Sequence, residues 1–210
     1  ILAGDDSLIN DFNGDVDVHT KTASEVYGIP MDDVTKDQRR AAKVINFGVL
    51  YGMSPHGLAA NTGMSFMQAK EFIDQYFELR APIRSFIDAT IAKAKTEGYV
   101  ETYYGRRRPT PDVKSSTFMV RAGAERAAAN MPIQGTEADL MKRAMLEVDQ
   151  RIEGLGEQIL QIHDSILVEC PKENAEKITA ILKEVMESVA PELNIALRVD
   201  VHSGDTWGDL

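Results

Sequence analysis

The chain has 210 residues, of which 43% are hydrophobic and 27% charged, a composition typical of an ordinary globular protein with one sizeable core or two small lobes. No apolar run is long enough to cross a bilayer, and no secretory signal opens the sequence. The single cysteine, Cys170, excludes an internal disulfide framework and fits a reducing cytoplasm. The net charge of −10 argues against a protein whose whole surface binds nucleic acid.

Charge is unevenly distributed along the chain. Residues 1–33 carry eight acidic residues and only one lysine. Positive charge collects instead in two groups: Arg39, Arg40 and Lys43, then Arg106, Arg107, Arg108, Lys114, Arg121 and Arg126. Such groups are common on solvated faces, but on an acidic body they can also form a local phosphate-binding surface.

The first half of the chain has helical patterns. Thr35 and Gln38 have the spacing of a capping box, which predicts a helix to about Tyr51, with Gly52 as its C-terminal cap. Two further helices are predicted over residues 65–96, with a break near Pro82. Residues 117–151 form a predicted helix with a kink at Pro132.

The remaining patterns are those of short strands. Tyr99 to Tyr104 is a predicted strand or hairpin arm ended by Gly105. Two strands, 159–162 and 166–170, flank a tight turn at residues 163–165. A helix with apolar spacing over 178–189 follows, and residues 195–201 alternate as a half-buried strand does. This order predicts an α+β chain in which a helical lobe is joined to a small antiparallel α+β lobe.

The helix over residues 35–51 carries two cations and two aromatic residues four positions apart: Arg39, Lys43, Phe47 and Tyr51. Steps of four place them on one broad face, with the cations toward the positive end of the helix dipole. The rise from Lys43 to Tyr51 is about 12 Å, comparable to a nucleoside triphosphate. Gly48 and Gly52 would let a ligand approach the backbone. An amphipathic helix with both aromatics in the core explains the same spacing.

The pattern Arg-x-x-x-Lys-x-x-x-Phe-Gly-x-x-Tyr-Gly resembles motif B of family A DNA polymerases. Other segments resemble that family in the same order: DVHTKTA at 17–23, YVETYYGRRR at 99–108, NMPIQGTEADLMK at 130–142 and QIHDSILVE at 161–169. The resemblance implies that this helix contacts the incoming dNTP. It implies that Arg39 and Lys43 bind the triphosphate and act in catalysis, and that Lys43 protonates the departing pyrophosphate.

The remaining nucleotide contacts also follow from the resemblance. Phe47 is expected against the sugar and base, and Tyr51 near the template base. His19, in the DVHT segment, matches a family position that touches the phosphates. A single histidine is otherwise more often structural.

Asp164 lies at a predicted hairpin tip between two apolar strands, where a carboxylate is held rigidly and stays accessible. An ordinary turn aspartate fits the same position. The HDS segment resembles motif C of the family, which implies that Asp164 is a catalytic metal ligand and that His163 contacts the primer terminus. The family usually has Glu after this Asp, whereas this chain has Ser165, so an additional acid is lost.

The beginning of the sequence, ILAGDDSLI, resembles the stretch that follows motif A in the family. Motif A supplies an Asp that ligates both metal ions and a Glu that excludes ribonucleotides, and neither is present. We therefore expect the chain to act as part of a larger polymerase whose motif A lies outside it, and to be inactive alone.

Arg126, Asn130 and Gln134 are also four residues apart, with three alanines between the first two. Small residues allow close approach, and donors suit the minor groove, where every Watson–Crick pair presents acceptors. Polar residues on a solvent face would explain the spacing as well. With the family resemblance, these three residues are expected to read the primer–template minor groove, and Arg108 to contact the same DNA.

These expectations combine into a helical fingers lobe over 17–116, part of a palm over 117–210 and a palm remnant over 1–16. The implied reaction is transfer of a nucleotide from dNTP to a primer 3′-hydroxyl, with two Mg²⁺ ions, primer–template DNA and the N-terminal remainder of the polymerase as cofactor and partners. The implied location is the cytoplasm, with the nucleoid. Two alternatives are a phage-type RNA polymerase and a non-catalytic primer–template binding fragment.

Overall fold

A computed structural model describes residues 1–48 and 51–210 of the chain. The helices are α1 (Asp6–Asn13), α2 (Val18–Tyr27), α3 (Lys36–Leu50), α4 (Pro55–Thr62), α5 (Phe66–Leu79), α6 (Ala81–Glu97), α7 (Phe118–Arg151) and α8 (Ala175–Ser188). The strands are β1 (Tyr99–Glu101), β2 (Arg107–Pro109), β3 (Glu157–Ile162) and β4 (Ser165–Glu169). The predicted α+β class is confirmed, since helices predominate and the strands form two small antiparallel sheets. Among the described residues, no helix is long and apolar enough to span a membrane.

By their internal contacts the residues form two compact units, Ile1–Ile133 and Gln134–Leu210. The boundary falls within α7, after Ile133, the residue that follows Pro132. Each unit has its own hydrophobic core. The division into fingers and palm at residue 116 is a statement about function and stays a prediction.

Side-chain caps determine where several helices of the first unit begin. Thr35 and Gln38 form the predicted capping box at α3, with Gln38 accepting from the Thr35 N–H at 2.9 Å and Thr35 Oγ1 from the Gln38 N–H at 3.3 Å. Asp17 caps α2 through the N–H groups of residues 19 and 20. Ser54 caps α4, where Pro55 occupies the first turn, a position that proline favours. The sequence patterns predicted the start of α3 but missed α1, α2 and α4.

The core of the first unit brings α2, α3, α4 and α5 together. Ile45 of α3 and Leu58 of α4 are fully buried, and Phe72 and Tyr76 of α5 are nearly so. Burial of side chains of this size contributes about 1.5–3 kcal/mol each, so this cluster holds α3 firmly on one side. The opposite side of α3 is left for solvent or a ligand.

The predicted hairpin around residues 163–165 is confirmed, and the strand or hairpin arm predicted from Tyr99 is part of a second antiparallel hairpin whose partner strand was not predicted. In the first, β1 pairs with β2 through Tyr99↔Pro109 and Glu101↔Arg107, with Gly105 at a positive φ of 80° in the connection. In the second, β3 pairs with β4, with Ile162 opposite Ser165, so the turn consists of residues 163 and 164. The helix predicted over 178–189 is α8, whose apolar face packs in the core of the second unit.

The strand predicted over residues 195–201 is wrong as an element. Its burial alternates as expected, with Ile195, Leu197, Val199 and Val201 half-buried and the intervening residues exposed. Within the described part of the chain these residues form no strand. A strand also needs a hydrogen-bonded neighbour, and β3 and β4 pair only with each other. The alternation of apolar and polar residues therefore predicted correctly which side chains are buried, but it did not predict a strand of a sheet.

Candidate active site

The outer face of α3 carries the predicted site. Arg39 and Lys43 are exposed along this helix, and Phe47 and Tyr51 expose 51% and 53% of their surface. Large aromatic residues with half of their area in solvent are not core residues. The alternative in which both aromatics fill the core is therefore wrong, because Ala41, Ala42 and Ile45 occupy that side of the helix.

The N-terminus of α2 meets this face through one carboxylate. Asp17 Oδ2 accepts a 2.7 Å hydrogen bond from Arg39 Nε and a 2.9 Å hydrogen bond from the Thr20 hydroxyl. Asp17 Oδ1 accepts from the His19 and Thr20 N–H groups at 3.1 and 3.3 Å. The hydrogen bond from Arg39 is the main reason that the pKa of Asp17 lies well below its usual range. The carboxylate is therefore ionised at neutral pH, and it neutralises part of the charge of Arg39.

His19 lies beside the middle of the same face. Its Nδ1 is 3.0 Å from Asn46 Nδ2, and its ring centroid is 5.8 Å from that of Phe47. Burial lowers the pKa of His19, and the positive charges of Arg39 and Lys43 lower it further against the opposing effect of Asp17. The structure thus brings His19, Arg39, Lys43 and Phe47 into one neighbourhood, while their contacts to a nucleotide stay a prediction.

The two glycines of α3 and its cap serve internal packing. A Cβ at Gly48 would lie 2.6 Å from the Sδ and Cε atoms of Met53, and one at Gly52 would lie 2.7 Å from Cγ of Arg126. The expectation that these glycines admit a ligand is corrected, because side chains of the chain itself fill the space. Gly52 also has a φ of 64°, and the Met53 N–H donates to the Gly48 carbonyl at 2.9 Å, so the predicted C-terminal cap is present.

The residues predicted to read the minor groove lie on α7. Arg126 and Asn130 belong to the first unit and Gln134 to the second. Arg126 and Gln134 are exposed, whereas Asn130 is half-buried and its Oδ1 is buried without a hydrogen-bond partner. Ala128 and Ala129 are buried, so the small residues allow close packing within the protein rather than close approach of DNA. That part of the expectation is wrong.

Two arginines of the β1–β2 hairpin, Arg107 and Arg108, lie in different surroundings. Arg107 Nε donates to Glu101 at 3.3 Å, and the Arg107 guanidinium lies 4.4 Å from the ring centroid of Tyr99. Lys93 also pairs with Glu101 and lies 5.3 Å from the same ring. Arg108 is exposed on the opposite face of the strand, because successive side chains alternate. Its guanidinium is therefore the better placed of the two for a phosphate.

The β3–β4 turn presents His163 and Asp164 to solvent. His163 has a φ of 51°, in the left-handed region that residues other than glycine rarely adopt. The Gln161 amide donates to the His163 carbonyl, and the Ser165 hydroxyl donates to the Ile162 carbonyl at 2.8 Å, so the turn is held from both sides. Within the part of the chain whose side chains are described, no three His, Cys, Asp or Glu residues are grouped to hold a metal ion. Asp164 supplies one carboxylate, which does not complete a metal site.

The comparisons with known proteins agree with this geometry. The family described as DNA polymerase family A matches residues 1–209. The chain belongs to DNA polymerase family A. It is 46% identical to the thermostable DNA polymerase I of Thermus aquaticus over 207 residues, which cover 98% of this chain and 25% of that protein. It is 43% identical to DNA polymerase I of Bacillus caldotenax, covering 99% of this chain and 24% of that protein.

A solved structure shares the fold of this family A chain. The POL domain of Pol1 from M. smegmatis, in complex with DNA primer-template and dNTP, superimposes with a TM-score of 0.86 at 38% identity. The match covers 94% of this chain and 35% of that one. The family A chain spans about a quarter of the length of the curated relatives it matches. Family A polymerases are nucleotidyltransferases, a class that generally uses divalent metal ions.

Three residues of this family A chain were not singled out as site residues from the sequence. Asp17, Thr22 and Asn46 connect α2 to the outer face of α3. The D-x-x-T spacing of Asp17 and Thr20 is a sequence signal for a helix cap. The contacts to α3 span more than 20 positions in the sequence, and only the packing of the two helices creates them.

Proposed function

We propose that this chain is the nucleotide-binding and primer–template-binding part of a DNA-directed DNA polymerase. The reaction is attack by a primer 3′-hydroxyl on the α-phosphate of a dNTP, with release of pyrophosphate. The observation that carries the proposal is the outer face of α3. Two cations and Phe47 lie along that face and Tyr51 follows directly after the helix, and both aromatics are half exposed while the core lies on the other side.

This face has the chemistry that a dNTP requires. Arg39 and Lys43 bind the phosphates, and His19 adds a hydrogen-bonding ring beside them. Phe47 lies further along and offers its ring to the sugar and base, and Tyr51 to the template base. Lys43 serves the developing charge on the leaving pyrophosphate, where a fixed cation is worth most. In this arrangement positioning and electrostatics provide most of the catalysis.

The proposed DNA contacts lie outside this face. Arg126, Asn130 and Gln134 offer donors to the minor groove, and Arg108 offers a cation to a phosphate. His163 contacts the primer terminus beside Asp164. Residues 17–116 act as fingers, 117–210 as palm and 1–16 as a palm remnant. Primer–template DNA, dNTP and the N-terminal remainder of the polymerase are the proposed partners.

Mg²⁺ is the proposed metal, with two ions at work in the complete enzyme. When bound, such ions hold the attacking and leaving oxygens of the transfer. Asp164 would be the ligand from this chain. Since the described residues do not complete a metal site around it, further carboxylates must come from the rest of the polymerase. The 210-residue chain is therefore expected not to extend a primer alone.

The test is Asp164→Asn in the polymerase that contains this chain. Primer–template affinity should be preserved, while the extension rate should fall by several orders of magnitude because a metal ligand is lost. Glu157→Gln, an exposed carboxylate at the far end of the same hairpin, is the matched control and should leave the rate unchanged. An Asp164→Asn rate within tenfold of the parent would show that Asp164 is an ordinary turn residue and not a metal ligand. Preference for ribonucleotides in the parent would favour an RNA polymerase instead.

A further inference from the structure

His19 belongs to a chain of hydrogen bonds that joins α2 to α3. Asn46 Nδ2 lies 3.0 Å from His19 Nδ1 and 3.2 Å from Thr22 Oγ1. Thr22 Oγ1 lies 2.8 Å from the carbonyl oxygen of Val18, one turn earlier in α2. Thr22 is 2% exposed, so water does not compete for its hydroxyl.

The number of protons on each group determines which atom donates and which accepts in each hydrogen bond. The Thr22 hydroxyl has one proton, and its oxygen lies 2.8 Å from the Val18 carbonyl oxygen but 3.4 Å from Asn46 Oδ1, so we assign that proton to the shorter bond with Val18. Thr22 Oγ1 must then accept from Asn46. The Asn46 amide has two N–H protons, and with one on Thr22 the other points to His19 Nδ1. Nδ1 is consequently the acceptor nitrogen of the ring.

The opposite orientation of the Asn46 amide is unfavourable. It would place the amide oxygen 3.2 Å from Thr22 Oγ1 with no proton between the two oxygens. It would also place the NH2 group 3.4 Å from Thr22 Oγ1, whereas the separation in the structure is 3.2 Å. The amide oxygen could then accept only from a protonated His19 Nδ1, while two acceptor oxygens would face each other at Thr22, which disfavours this orientation.

We propose that Asn46 and Thr22 are positioning residues that hold His19 as its Nε2–H tautomer, so that the ring presents an N–H donor to the triphosphate. The nucleotide part of this inference rests on the proposed function. Nε2 has no hydrogen-bond partner among the described residues, and it is the ring nitrogen directed away from Asn46.

The electrostatic surroundings keep the ring in its neutral form. Arg39 and Lys43 face His19 from α3, and Asp17 faces it from the cap of α2. Burial and the two cations together outweigh Asp17 and lower the pKa of His19. A neutral imidazole must have one acceptor and one donor nitrogen. The hydrogen bond from Asn46 makes Nδ1 the acceptor, so Nε2 is the donor. The triphosphate then receives one neutral donor and two cations.

The direct test is ¹⁵N NMR of the polymerase containing this chain, labelled at histidine and measured without nucleotide. The His19 signals are assigned by their loss in His19→Gln. The parent should show a protonated Nε2 and an unprotonated Nδ1. Asn46→Asp replaces the amide donor by a carboxylate acceptor, so Nδ1 should become protonated and the ring should titrate at higher pH. A parent spectrum with Nδ1 protonated overturns the proposal.

Steady-state kinetics test the consequence for the nucleotide. Thr22→Val keeps the shape of the side chain but removes the acceptor of Asn46, so the KM for dNTP should rise about fivefold while kcat changes less than about twofold. Thr22→Ser keeps the hydroxyl and should restore the parent KM. Equal KM values in Thr22→Val and Thr22→Ser, with the parent tautomer as expected, overturn the donation to the triphosphate. Failure of the wider proposed function is recognised separately by Asp164→Asn.

Discussion

Asp17 and Arg39 join two helices through a 2.7 Å hydrogen bond between a carboxylate oxygen and the guanidinium Nε. The bond uses Nε, and within the described part of the chain neither terminal NH2 group of Arg39 donates to Asp17. A guanidinium held by Nε can still bind a phosphate with both terminal nitrogens. We therefore expect Asp17 to orient Arg39 for the triphosphate instead of competing with it.

Asp17→Asn should raise the KM for dNTP by about threefold or more, with a smaller effect on kcat, since the orientation of Arg39 is lost. Asparagine caps a helix as well as aspartate does, so α2 should keep its N-terminus. Asp33→Asn removes a charge at an exposed position and is the control. A lower KM in Asp17→Asn would show that the carboxylate competes with the nucleotide.

The same pair has a pH signature. The pKa of Asp17 is depressed in the folded state, so its contribution to stability is present above the pKa of the unfolded chain, near 4, and is lost as the pH falls through the folded value. Thermal unfolding of the parent and of Asp17→Asn should differ most at pH 5–7. The difference in Tm should shrink between pH 4 and pH 2. A difference independent of pH would contradict the ion pair.

Gly52 is a second point where distant parts of the first unit meet. Gly52→Ala places a Cβ 2.7 Å from Cγ of Arg126 and retains a φ of 64°, so it should be destabilising. Gly63→Ala is the matched control, because Gly63 has a φ of 78° but open space around its Cβ position. Both variants bear the cost of the left-handed conformation, about 1–2 kcal/mol.

Only in Gly52→Ala should the free energy of unfolding fall further, by about 1–3 kcal/mol, because its Cβ overpacks against Arg126. The measurement is the free energy of unfolding in denaturant. Combining Gly52→Ala with Arg126→Ala should remove most of the additional loss. Equal destabilisation by the two single glycine variants would mean that Arg126 moves aside without cost.

The two arginines of β2 should differ in their effect on DNA binding. Arg108→Ala should weaken primer–template binding and reduce the slope of log affinity against log salt by about one, as expected for one lost phosphate contact. Arg107→Ala is the control, because Arg107 is paired with Glu101 and covers Tyr99. Titrations of primer–template binding at several salt concentrations measure this slope. An equal loss of slope in both variants would assign phosphate contacts to both residues.

Lys43→Ala should raise the KM for dNTP and lower kcat together, because one charge serves both the bound phosphates and the departing pyrophosphate. Arg40→Ala removes an exposed cation of the same helix that is not among the residues proposed to bind dNTP, and it should have little effect. Tyr51→Ala should instead reduce discrimination between matched and mismatched dNTPs. The prediction fails if Lys43→Ala and Arg40→Ala have similar kinetics.

Much of the fold could be predicted because the signals were local. The capping box of Thr35 and Gln38 and the C-terminal cap at Gly52 involve residues within six positions of each other. The two hairpins likewise pair neighbouring segments. The strand predicted over 195–201 failed because alternation specifies which side chains are buried but supplies no hydrogen-bonding neighbour.

The sequence by itself determined the identity and order of the chemical groups: a row of cations and aromatics on one helix, a carboxylate at a hairpin turn and the family to which they belong. Tertiary structure decided how those groups are held. Asp17 reaches Arg39 across 22 positions, Asn46 reaches His19 across 27, and Arg126 fills the space beside Gly52. Helical periodicity places a side chain on a face of its own helix, but which neighbour meets that face depends on how the cores of several helices pack together.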